Sequence, residues 1–134
     1  TLRNSSAASD VYKRQVSQTP SGQASYAVYS DCKLGEGVSA DDFYNAYKAY
    51  AEAAKELGDV AGRKMILPQS GVPSTWDYDF VQLVSTDTIA DYGKNWTNFW
   101  SEATAESMPE LKALNELGGS CENERTYGIV PVRN

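Results

Sequence analysis

Histidine is absent from the 134 residues, and cysteine occurs only twice. Imidazole is the one side chain whose ordinary pKa lies near neutrality, and it is the commonest metal ligand. Its absence excludes Ser-His-Asp and Cys-His hydrolysis, His-ligated zinc and His-ligated haem. Cations are also scarce: 12 Lys and Arg stand against 18 Asp and Glu, a formal net charge of -6. An acidic chain repels phosphate backbones and anionic lipid, and Lys48, Lys55, Arg63, Lys64, Lys94 and Lys112 are dispersed among carboxylates. Nucleic acid is therefore not an expected partner. No stretch approaches the roughly 20 consecutive apolar residues that a membrane-crossing helix needs, so no membrane span is expected, and neither a metal nor a cofactor is expected. With 41% hydrophobic, 11% aromatic and 22% charged residues, the composition is that of a globular domain.

The first 15 residues carry three cations and one acid and show no apolar periodicity. They resemble the stray tracts that occur at the ends of conceptual translations of assembled sequencing reads. Residues 16–23 are polar, with Pro20 and Gly22, and read as a linker. Residues 1–23 are thus expected to be a disordered or non-native leader, and residues 24–134 a single domain.

Within that domain, Ala24 to Lys33 is aromatic and branched and favours a strand, closed by a Gly-rich turn at residues 34–37. Ser39 followed by Asp42 forms a variant capping box, after which Phe43, Tyr47, Tyr50, Ala54 and Leu57 recur at helical spacing, with Gly58 at the C-terminal cap. A second strand is predicted over Arg63–Gln69, where Pro68 argues for an edge or a strand end, and a third over Asp79–Ser85. The loop between them holds Trp76 and Tyr78. Thr86 and Asp87 are the candidate N-caps of a second helix with Ile89, Tyr92, Trp96, Phe99, Ala103 and Trp100 inward. Ser107 and Glu110 predict another capping box, opening a short helix with Leu111, Leu114 and Leu117, stopped by Gly118 and Gly119. A fourth strand is predicted around Tyr127–Val132.

The order strand, helix, strand, strand, helix, strand is the ferredoxin-like βαββαβ plan, an α+β fold. Right-handed crossovers give a four-stranded antiparallel sheet of order 4-1-3-2, with helices on one face and the extra short helix before the last strand. The third strand is apolar on both sides: Phe80 and Val84 face one way, Val81 and Leu83 the other. One face remains to be covered after the helices are placed, which predicts a homodimer packed through the open sheet face. In this order Cys32 closes the first strand beside Cys121, which opens the fourth. A disulfide is geometrically available there. It would imply an oxidising, periplasmic or extracellular location, the alternative being a reduced cytosolic pair.

The stretches YAVYSDCKLGEGVSADDFYNAY (26–47) and YDFVQLVSTDTIADYGKNW (78–96) resemble the dimeric α/β-barrel superfamily, which includes antibiotic-biosynthesis-type monooxygenases, stress-responsive barrel proteins and many uncharacterised members. The resemblance spans about residues 24–132 and consists of a turn and a strand-to-helix entry, not a catalytic signature. It implies paired sheets and a ligand cleft between helices and sheet in each subunit. Haem-binding branches use an axial histidine, which this chain lacks.

The candidate cleft is lined by Tyr47, Tyr50, Tyr92, Asn95, Trp96 and Trp100, which could hold a small hydrophobic or aromatic molecule. The alternative reading of these side chains is plain core. Asn95 and Trp96 also match the side chains with which cofactor-independent monooxygenases of the resembled superfamily orient a phenolic substrate, although Asn95 lies about 100° around the helix from Trp96 and is expected to face solvent. Without histidine, acid-base chemistry would fall to carboxylates such as Asp31 and Asp79 at strand ends, for which a solvated or turn-forming role is the expectation. Three functions stay open: a ligand-binding dimer, a monooxygenase-like enzyme, and a structural dimer with a filled core.

Overall fold

The computed structural model describes residues 24–102 and 106–133, with the side chains of residues 98–102 outside the description. Four strands and three helices alternate as β1 (Ser25–Lys33), α1 (Ala40–Glu56), β2 (Gly62–Ile66), β3 (Phe80–Thr86), α2 (Ile89–Glu102), α3 (Pro109–Glu116) and β4 (Ser120–Ile129). The strands form one sheet of order β2-β3-β1-β4, antiparallel at every pairing. This is the expected 4-1-3-2 order read from the other edge, on an α+β fold. The expected leader, residues 1–23, lies outside the described residues.

Side chains on β1 and β3 divide by parity, as the pleat requires. Tyr26 meets Tyr92 of α2 and Phe80 meets Phe43 of α1, so the face bearing Tyr26, Val28, Ser30, Cys32, Phe80, Gln82 and Val84 lies under the helices. Ala27, Tyr29, Asp31, Val81 and Leu83 occupy the other face, where Tyr29 meets Tyr127 of β4 edge-on. α1 buries Tyr47, Tyr50 and Ala54. Met108, Leu111 and Leu114 around the start of α3 pack against this stripe, so the short helix covers α1 rather than the sheet.

Local chemistry explains where the elements begin. The Ser39 hydroxyl accepts the Asp42 N–H at 3.0 Å while the Asp42 carboxylate accepts the Ser39 N–H at 3.2 Å, the reciprocal pair expected from the sequence. Gly58, at φ 96°, follows the helix in the left-handed conformation that suits glycine. The α2 cap differs from expectation: Thr88, not Thr86 or Asp87, accepts the Asp91 N–H at 3.0 Å, and the Thr86 hydroxyl instead donates to the Thr88 carbonyl. The box expected from Ser107 and Glu110 does not form, because Met108 occupies the cap position with Pro109 first in the helix. Leu57 and Ile89, expected inward, are 46% and 67% exposed, lying at helix ends beyond the packed turns.

Two strands also differ in extent. β2 stops at Ile66, short of Gln69, as suits a chain approaching Pro68 on a sheet edge. β4 begins at Ser120 and ends at Ile129, well ahead of the expected Tyr127–Val132, and its pairing carries a one-residue irregularity. Tyr29 stands opposite Arg125, yet Asp31 stands opposite Glu122 and Cys32 opposite Cys121. Asn123, at φ 57°, sits in this bulge. An extra residue on one strand reverses which side the following side chains face, and here it turns Cys121 to the side of Cys32. The two form a disulfide with alpha carbons 4.1 Å apart. Gly119, at φ 92°, lets the chain enter β4 against the Lys33 carbonyl, where a Cβ would collide with it.

Candidate functional site

Between α2 and the sheet lies a cleft of about 270 Å³. Its floor is Val28 and Ser30 of β1, Gln82 and Val84 of β3 and Glu124 of β4. Tyr92, Asn95 and Trp96 of α2 form one wall; Tyr50, Arg63 and Leu111 close the other end. Tyr92 and Trp96 are four residues apart on α2, one helical turn, and their rings lie at 25° with centroids 6.5 Å apart.

Polar order in the cleft comes from one carboxylate outside every helix and strand. Asp59, in the turn from α1 to β2, accepts from Arg63 Nε at 2.9 Å, from Asn95 Nδ2 at 2.6 Å and from the Ala61 N–H at 3.3 Å. Its side chain is 3% exposed and that of Arg63 14%. Burial pushes the Asp59 carboxyl upward, but the hydrogen bonds from Arg63 and Asn95 and the guanidinium charge outweigh it and leave the pKa lowered. The Asn95 carbonyl oxygen accepts the Val60 N–H at 3.0 Å, so this side chain ties α2 to the α1–β2 turn. The Arg63 guanidinium also rests 5.4 Å from the centre of the Tyr50 ring, within cation–π range.

Burial raises the phenols of Tyr47, Tyr50 and Tyr92 above their ordinary value, so all three are neutral hydroxyls over the physiological range. Among the described residues the buried Tyr47 hydroxyl has no hydrogen-bond partner, and Arg63 and Gln82 act against the upward push of burial.

Of the six side chains expected in the cleft, Tyr50, Tyr92, Asn95 and Trp96 line it together. Tyr47 belongs to the packed core and to a shallower groove with Tyr44, Lys48 and Met65. Trp100 lies outside the residues whose side chains are described. Asn95 is half-buried and doubly engaged, not turned to solvent as expected. The pattern reading missed Arg63, Asp59, Ser30, Gln82 and Glu124. An arginine four residues beyond an aspartate was the available signal for the first pair.

A second polar cluster lies on the opposite face. Asp31, expected to be solvated, is 6% exposed and accepts from Asn123 Nδ2 and from Arg125, each at 3.1 Å. Desolvation opposes ionisation there, but those two residues, aided by a hydrogen bond from Trp76, hold its pKa below the ordinary value. The Tyr78 hydroxyl donates to Glu122 at 2.6 Å and accepts from Asn123 at 3.1 Å. Trp76 and Tyr78, half-buried and in ring contact, thus pin the β2–β3 loop beside Asp31. Asp79 is exposed, in line with the solvated reading, and its carboxylate accepts the Leu34 N–H at 2.8 Å across 45 positions. Among the described residues there is no metal-ligating cluster, and no helix is long and apolar enough to cross a membrane.

No family model matches the chain, and no curated protein matches it. Among solved structures it is similar to the methylated RPA0582 protein, with 12% identity and a TM-score of 0.40 over 97% of this chain and 94% of that one. A second structure, described as RPA0582 of Rhodopseudomonas palustris, a structural genomics target of unknown function, gives 12% identity and a TM-score of 0.40 over 98% of this chain and 97% of that one.

Proposed function

We propose that the chain is a small-molecule-binding protein whose cleft between α2 and the sheet takes a compact hydrophobic or aromatic molecule. The observation that carries this reading is the cleft itself: about 270 Å³ lined by Tyr50, Tyr92 and Trp96 beside Val28, Val84 and Leu111, with Ser30, Gln82 and Asn95 as polar groups. Ligand sites are typically apolar and aromatic with a few convergent polar groups, and run upward from about 300 Å³. At about 270 Å³ this cleft falls just below that range, which favours a one-ring ligand. Catalysis is not assigned. Asn95, the side chain that would orient a phenolic substrate in a monooxygenase-like reaction, is committed to Asp59 and Val60, which favours a role in positioning α2.

In this reading the fold follows the ferredoxin-like plan and pairs, as in dimeric α/β-barrel proteins, through its open sheet face. Support comes from the apolar side chains there: Tyr29 and Val81 are half-buried, and Ile66, Tyr127 and Ile129 are 39%, 49% and 41% exposed, around Leu83 at 9%. The disulfide favours an oxidising compartment, periplasmic or extracellular. Ligand-observed NMR against a broad panel of one-ring compounds tests the cleft. Binders are expected, and Tyr92→Ala is expected to weaken them about tenfold or more, since one ring face contributes on the order of 1–2 kcal/mol. An empty panel, or binding indifferent to Tyr92→Ala, would refute the reading.

A further inference from the structure

Resting on the reading of the cleft as a ligand site, we propose that its preferred occupant is a small organic cation, an amine carried on one aromatic ring, with Glu124 as the counter-charge. Three charged groups adjoin the cleft. The Arg63 charge is matched by Asp59 at 2.9 Å, both side chains being shielded from solvent. Glu124 lines the cleft and takes part in no ion pair among the described residues. Among the described residues, the charge at the site without an ion-pair partner is therefore negative.

The aromatic wall suits the same ligand. Ring faces attract cations through their quadrupoles, and Tyr50 already demonstrates this with Arg63. Tyr92 and Trp96 present two nearly parallel rings at the cleft. After burial, the charge of Glu124 is the strongest influence raising the Tyr92 phenol, so the two side chains are within electrostatic reach of one another. The bulge at Asn123 supplies the geometry. Arg125, opposite Tyr29, points to the open face, so its neighbour Glu124 falls on the helix side. A net charge of -6 would also draw cations toward the protein and repel anions. An anionic ring would meet Glu124 as a like charge and find Arg63 already paired; a neutral ring would gain nothing from the carboxylate.

Isothermal titration of the full chain with 2-phenylethylammonium, 2-phenylethanol and 3-phenylpropanoate separates the cases. The ammonium is expected to bind about tenfold tighter than the alcohol, as one charge-assisted contact provides, and the carboxylate weakest. In Glu124→Gln, a change at an exposed residue, that preference should fall to near unity, and in wild type it should shrink as salt rises. Equal affinity for ammonium and alcohol, or a preference that survives in Glu124→Gln, overturns the cation assignment. If Trp96→Ala still weakens every binder, the cleft reading stands without it. Failure of all three compounds to bind overturns both.

Discussion

Asp59 shows how a single side chain can hold several elements together at one end of a cleft. It satisfies Arg63, Asn95 and the Ala61 N–H at once, and so joins α1, β2 and α2 at the cleft. Removing one member of a buried pair leaves the other charge unmatched, at a cost of about 3–5 kcal/mol. Asp59→Ala should lose about that much in urea unfolding, whereas Asp59→Ala combined with Arg63→Met should recover part of it; additive losses would mean the pair is not coupled. The sign of the acid response also follows. Asp59 and Asp31 both have lowered pKa values in the fold, so their stabilisation is complete above the ordinary aspartate value of 3.8 and is lost as pH falls through the lower folded values. Unfolding free energy should thus decline steeply below about pH 4, and Asp31→Asn should flatten that decline. An unchanged slope would refute the assignment for Asp31. Little of this was legible in the sequence, because Asp59 lies in a turn with no periodicity and meets Asn95 across 36 positions. The Ser39–Asp42 box, by contrast, acts across three residues and could be read directly.

Strands and helices were legible where they bury side chains and obscure where only backbone pairing holds them. β1, α1 and β3 announce themselves by apolar periodicity. The first part of β4, Ser120–Thr126, is polar and almost wholly exposed; it is a strand because β1 pairs with it, and pairing leaves no mark on hydrophobicity. Its charges are those of an edge strand, where they discourage addition of a further chain. The disulfide was nevertheless foreseeable, since strand order alone sets the end of β1 beside the start of β4. What strand order could not reveal was the bulge that brings Cys121 into register. Asn123→Val should expose that dependence, because a branched residue resists the left-handed conformation at φ 57° and forfeits the bond to Asp31. A loss of about 2–3 kcal/mol is expected, with Asn123→Gly milder; equal effects would show that backbone conformation is not the cause. Replacing both cysteines by serine opens a link across 89 positions, for which chain entropy gives about 4–5 kcal/mol. Unfolding with and without reductant should differ similarly in wild type and not at all in the double variant.

At the scale of the whole molecule, the decisive asymmetry is between the two sides of one sheet. Phe80 is buried under the helices and Val84 borders the cleft, while Val81, half-buried, and Leu83, 9% exposed, lie on the opposite side with Tyr29 and Tyr127. That pattern was visible in the sequence as a third strand apolar at successive positions. A two-sided apolar strand needs cover on both faces; on this side the β2–β3 loop lies beside Asp31, while Ile66, Tyr127 and Ile129 stay exposed. Self-association must also overcome repulsion between copies that each carry a net charge of -6. These opposing terms give a salt dependence that distinguishes the expected dimer from an ionic one. Sedimentation equilibrium should give about twice the 14.7 kDa chain mass, with association tightening as salt screens the repulsion over a Debye length of about 10 Å at 0.1 M. Tyr127→Asp places a charge at a half-exposed position on the open face and should yield a folded monomer. A wild-type monomer at all salt concentrations, or a dimer that weakens with salt, would show that the apolar face is not the contact.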